Sequence, residues 1–173
     1  MIPSIPGGRS LVQVMKIRIQ HMALLVAGAS IAYAANDVPV PSSCTPDINS
    51  KLAQLIASKP QGPVDNVMVC GTTTRRSRYQ PAGQHGSHHV FSILAAFPDG
   101  SKQLVEVVTN DSLDGVITAP AQAQLFAYGQ AFFDNTNQFA AGIHDTHCST
   151  HAGADNGWIV IDGVKHPSSC AGQ

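Results

Sequence analysis

Glutamate is nearly missing from this chain: Glu106 stands alone among eleven acidic residues. Any carboxylate chemistry therefore falls to aspartate or to that one glutamate. Charge of either sign is also scarce, at 12% of residues with a formal net charge of −1. That balance argues against a strongly basic nucleic-acid binder, and we expect no strong nucleic-acid signature. Chemistry-bearing motifs are missing too. No Gly-rich phosphate loop, Cys-x-x-Cys pair or His-Glu-x-x-His is present, so nucleotide folds, ribbon zinc sites and zincins have no support. Gly-x-Ser-x-Gly is absent as well, which leaves the usual hydrolase elbow without a nucleophile.

What is present is a chain of 173 residues, 43% hydrophobic, with eight histidines. The length suits one domain with a real core, and the even composition argues against disorder, a coiled coil or a collagen-like repeat. Residues 1–34 read as a secretory signal peptide: Lys16, Arg18 and His21, then the apolar run 22–31, then Ala32-Tyr33-Ala34. The apolar run is well short of the ~20 residues that span a bilayer, so no membrane span is expected after cleavage. Met15 opens the basic segment and marks residues 1–14 as a candidate start-site extension. A single exported domain, secreted or periplasmic, is then expected over residues 35–173, mildly acidic with seven Lys/Arg against eleven Asp/Glu.

Export sets the reading of Cys44, Cys70, Cys148 and Cys170, an even count that implies disulfides. Four cysteines allow three connectivities; closeness in sequence favours Cys44–Cys70 and Cys148–Cys170. The competing role for Cys148 is that of a thiolate ligand or nucleophile.

Thr45-Pro46 opens a helix whose Ile48, Leu52, Leu55 and Ile56 share one face, and Lys59-Pro60 closes it. Val64–Cys70 reads as a strand ended by Gly71, followed by a polar loop over 72–86. His88–Phe97 reads as a central strand, Pro98–Ser101 as a turn and Gln103–Val108 as the return. The segment 120–133 is ambiguous between helix and strand, and Trp158–Asp162 with Val164–His166 forms a closing hairpin. The expected class is α+β: a mainly antiparallel β-sheet with one or two helices, stabilised by disulfides.

Six histidines fall in two clusters. The denser, 142–158, holds His144, Asp145, His147, His151, Asp155 and Asn156 between Gly142 and Gly157. Glycines allow tight turns that aim several side chains at one point, and imidazole with carboxylate can bind metal or move protons near neutral pH. The plainer reading is a hydrogen-bonded surface turn. The second cluster is His85, His88 and His89, of which the last two, adjacent on a strand, point to opposite faces. Arg75, Arg76 and Arg78 are either solvated surface or receptors for a phosphate or carboxylate. The residues Phe126, Tyr128, Phe132, Phe133, Phe139 and Trp158 read as core.

Residues 127–133, Gly142–His147 and Ala154–Trp158 resemble the YukJ-like family of uncharacterised bacterial proteins, chiefly over 125–163. The resemblance aligns His144, Asp145, His147, Asp155, Asn156 and Gly157 with the family pattern. Cys148–His151 departs from the Met-Asn-Gln-Gly found there, as does the cysteine set. A shared site is implied, but no reaction.

Together these features lead to an exported metal-dependent hydrolase acting on a small molecule, with a phosphoester the first substrate class to try. Zinc would be held by His144, His147 and a third ligand from His89, His151 or Asp155, with Asp145 orienting or acting as base. His89 and His151 are further catalytic candidates, and Arg76, Arg78 and Asn156 are candidate substrate contacts. The alternatives are a metal-independent histidine pair or a non-catalytic metal- or ligand-binding module. Thiol titration under denaturing, non-reducing conditions should find no free thiol; two or more would reopen a ligand role for Cys148.

Overall fold

Strands rich in Val, Ile and Phe, with one face of each turned to a common interior, build most of this protein. A computed structural model describes residues 35–83, 86–133, 138–150 and 153–170. The signal-peptide reading of 1–34, as well as His85 and His151, lies outside the described residues. The strands are β1 (Val64–Thr73), β2 (Arg78–Gly83), β3 (Gly86–Ala96), β4 (Lys102–Asn110), β5 (Gln124–Phe132), β6 (Ala141–His144), β7 (Trp158–Ile161) and β8 (Val164–His166). A 3-10 turn (Pro46–Asn49) leads into α1 (Ser50–Ser58), the one α-helix among the described residues.

The sheet closes on itself. Strand order β1-β3-β4-β6-β5 returns to β1, because β1 pairs with both β3 and β5. Only β4–β6 is parallel in this five-stranded ring. β2 adds to β3, and the β7–β8 hairpin adds to β5. The described residues are thus mostly β with one short helix, as the mainly antiparallel reading expects; the departure is that the sheet closes into a barrel. The ambiguous segment 120–133 supplies β5, whose alternation puts Leu125, Ala127 and Ala131 inside the barrel. The expected polar loop 72–86 instead holds the end of β1 and the whole of β2.

Val67, Val69, Phe91, Ile93, Val105, Val107 and Ile143 fill the barrel, all fully buried. A second cluster lies on the outer face of β1, β5 and β7, where Phe126, Tyr128, Trp158 and Val160 are covered by Val38, Val40, Cys44 and Ile48. Cys44–Cys70 fastens that covering segment to β1, and Cys148–Cys170 fastens the loop after β6 to the C-terminal segment. Gly71 does not end β1; the β3 backbone passes so close that a Cβ there would lie 2.6 Å from the Leu94 oxygen. Among the described residues no helix is long and apolar enough to cross a membrane.

Asn49 has no exposed surface. Its amide donates to the carbonyls of Cys70 (3.0 Å) and Ala96 (2.8 Å), and its Oδ1 accepts the Cys70 N–H at 2.8 Å. One side chain thereby pins the helix entrance to β1 and to the end of β3. Replacing it with Leu would leave buried backbone groups unpaired, each at a cost of ~1–3 kcal/mol. We expect Asn49→Leu to lower unfolding free energy by about 2–4 kcal/mol in denaturant titration with disulfides intact. A loss below ~0.5 kcal/mol would show that these three bonds are replaceable.

Candidate functional site

The chain leaves β6 through an abrupt turn. Asp145 sits in the left-handed region at φ 53°, which Asp tolerates better than most residues. Two glycines make room for this turn. A Cβ on Gly129 would lie 2.1 Å from the His144 oxygen, and one on Gly157 would lie 2.0 Å from the Asp145 oxygen. The Gly157 N–H also donates to the His147 carbonyl at 2.8 Å. Thr146 is fully buried, so the turn is anchored from within.

This backbone places Asp145 between two imidazoles. Its Oδ1 lies 3.6 Å from His144 Nδ1 and 3.7 Å from His147 Nε2. Each ring is held from behind by its other nitrogen. His147 Nδ1–H donates to the Cys148 carbonyl at 2.9 Å. His144 Nε2–H donates to Gln130 Oε1 at 2.8 Å, and the Gln130 amide is in turn oriented by donating to Asp65 Oδ1 at 2.6 Å. The nitrogens left facing Asp145 are His144 Nδ1 and His147 Nε2. Asp65 is aimed by an irregularity in β1: pairing with β5 shifts between Val64 and Val67, and Asn66 takes φ 63°.

Asp145 raises the pKa of His147 above its ordinary value; burial opposes this, while the Cys148 carbonyl and Asp114 add to it. Burial pushes the Asp114 carboxyl up, against the Asn110 N–H that donates to it.

His88 joins the group from β3. With His144, Asp145 and His147 it lines a cleft of roughly 400 Å³, walled by Val108, Leu113 and Asn110. His89, on the opposite face of β3, is only 7% exposed and pairs with Asp111 at 2.7 Å; it is not part of the cleft wall. His89 and Ser87 hold the Asp111 carboxyl below its ordinary range despite burial.

Asp155, a candidate third ligand, lines a small hollow with Asp145 and His147 and has both carboxylate oxygens engaged. Its carboxylate accepts Tyr128 OH (2.8 Å) and Asn36 Nδ2 (2.9 Å), which keep its pKa low. Asn156 is likewise a strut, bonded to Asp37 and to the Ser149 N–H. Arg75, Arg76 and Arg78 are exposed. Arg78 pairs with Val90, and Gln80 with His88, so Arg78 lies on His88's face as a diagonal neighbour, ~7–8 Å away at most between such positions. Among the described residues no three His, Cys, Asp or Glu side chains form a group able to hold a metal ion. Gln130 and Asp65 carried no sequence signal, because the ambiguous reading of 120–133 gave Gln130 no face.

Asp145→Asn keeps the turn geometry but removes the charge. His147 should then titrate at lower pH, read by NMR of its ring protons. The raised pKa also fixes the stability trend. The Asp145–His147 pair contributes fully below the unfolded imidazole value of about 6.5 and is lost as pH rises through the raised folded value. Wild type should accordingly exceed the variant in stability at low pH, so long as Asp145 stays ionised, and approach it at high pH. An unmoved His147 titration would remove Asp145 as the cause.

No protein-family model, curated protein or solved structure matches this chain.

Proposed function

We propose that this protein is an exported hydrolase that cleaves phosphoesters by acid–base catalysis with a histidine pair. One observation carries the reading: two imidazoles flank one carboxylate at the wall of a cleft, each with its far nitrogen anchored to a carbonyl. Anchoring fixes which nitrogen exchanges a proton, the first geometric requirement of a general acid or base.

The raised pKa of His147 makes it the acid. A water attacks phosphorus; His144 Nδ1 takes the water's proton as the new P–O bond forms. His147 Nε2–H gives its proton to the leaving oxygen as the old P–O bond breaks. The products are an alcohol and a phosphate ester or phosphate, and the two rings exchange protons with solvent to reset. Asp145 stabilises whichever imidazole is cationic. Arg78, on His88's face though not in the cleft lining, is the cation assigned to the phosphoryl charge in this reading. The leader sequence and the two disulfides support export.

A second reading keeps the same side chains as zinc ligands. Histidines anchored from behind are how metal-ligating rings are held, with His144 Nδ1 and His147 Nε2 as the donors. Among the described residues, which do not include His151, no third group converges with these two, and this favours the metal-free reading. The third possibility, a binding module, predicts no turnover.

The test is turnover of bis(4-nitrophenyl) phosphate by the purified protein, with metal content measured alongside. Expected are activity that survives chelation and losses of ~10²–10⁴-fold for His144→Ala or His147→Ala. Gln130→Leu, which frees the His144 ring, should cost ~10–100-fold. Stoichiometric metal with chelator-sensitive activity would establish the zinc reading instead. No turnover of phosphoesters or carboxylic esters would leave the binding module.

A further inference from the structure

The cleft does not end at His144. A second hollow of roughly 370 Å³ adjoins it, bounded by Pro63, Val108, Gln130, Phe132 and His144. Val108 and His144 belong to both. The alternation of β5 explains why the hollow is there: Gln130 and Phe132 project on the same outer face, one behind the His144 ring and one beside it. The Phe132 ring meets His144 edge-on, with centroids 5.1 Å apart and planes at 74°. It lies against Gly142, where a Cβ would come within 2.0 Å of a ring carbon. Glycine at that position is what lets the aromatic face lie along the sheet and wall the hollow.

The two compartments differ in chemistry. The first carries three imidazoles and the Asp145 carboxylate. The second has no carboxylate, ammonium or guanidinium in its lining, and its amide, Gln130, is already committed to Asp65 and His144. A cavity of ~150 Å³ is enough to hold benzene, so the hollow admits one ring or a fused pair. Flat surfaces from Phe132 and Pro63 suit a planar occupant.

We propose that this hollow seats a planar apolar substituent of the substrate while the phosphoryl group lies against His144 and His147. The inference rests on the hydrolytic reading and narrows it to phosphoesters that carry an aryl or heteroaryl group. Small alkyl esters would then be poor ligands, because they fill one compartment and leave the other wet.

Two phosphonates that cannot be hydrolysed separate the compartments. Binding of phenylphosphonate and methylphosphonate to the wild-type protein is measured by titration calorimetry. Phenylphosphonate is expected to bind about tenfold tighter, from burial of the ring. Phe132→Ala should bring the two ligands within ~twofold, chiefly by weakening phenylphosphonate. Phe132→Leu, which keeps apolar volume but loses the ring face, should fall between, and thermal melts of both variants check that they fold. Equal affinities in wild type would overturn the inference yet leave the hydrolytic reading standing. An undiminished preference in both folded variants would also overturn it. Failure of both phosphonates to bind at millimolar concentration would remove the phosphoester reading itself, and the inference with it.

Discussion

The site depends on the path of one carbonyl. The Asp145 oxygen passes within 2.0 Å of where a Cβ on Gly157 would stand, and the preceding carbonyl, of His144, within 2.1 Å of one on Gly129. Both obstacles are backbone, so no rotamer change could relieve them; only glycine allows the approach. Because the turn is packed this closely from two sides, His144 and His147 are brought beside Asp145. Cys148–Cys170 and the buried Thr146 hold the same stretch from beyond and beneath. The imidazole geometry is therefore a property of backbone packing, and β5 and the segment before β7 set it as much as the histidine loop does.

Three aspartates near this turn have separate duties. Asp155 is consumed by Tyr128 and Asn36 and joins the covering segment to the barrel. Asp65, aimed by the irregularity in β1, orients Gln130 from behind. Asp145 alone adjoins both imidazoles at the cleft. Asp145 acts first on His147, raising its pKa, and the Cys148 carbonyl and Asp114 add to it against burial.

Much of the strand layout was legible because β-branched runs and turn residues announce it: the His88 strand, the Pro98–Ser101 turn and the Trp158 hairpin lie close to their expected places. The closed barrel was not legible, since it needs β1 to pair on both edges, and nothing local encodes a strand's partners. β5 was the costliest ambiguity. Read as a helix, 120–133 gives no common face to residues 126, 128, 130 and 132; read as a strand, it lines up the Trp158 cluster, the anchor of His144 and the wall of the second hollow. Strand parity required that His88 and His89 part company, but not which would face the loop. Asn49 and Asp65 carried no signal, because a buried polar residue is recognised only by the backbone it meets.

The two histidines of Gly142–His147 are three residues apart and share one carboxylate, yet they are not equivalent. His147 is tied to the carbonyl of its own neighbour, a bond that moves only if the Cys148 backbone moves. His144 is tied to a side-chain amide on another strand, which is itself held by a carboxylate one strand further away. The first arrangement fixes a partly buried, proton-retaining ring. The second passes through Gln130, whose amide presents only its oxygen to His144 while Asp65 takes its N–H. His144 then donates through Nε2 and turns Nδ1 toward Asp145 and the cleft. A symmetric pair would offer no basis for the proposed division of acid from base; what stands behind each ring offers one.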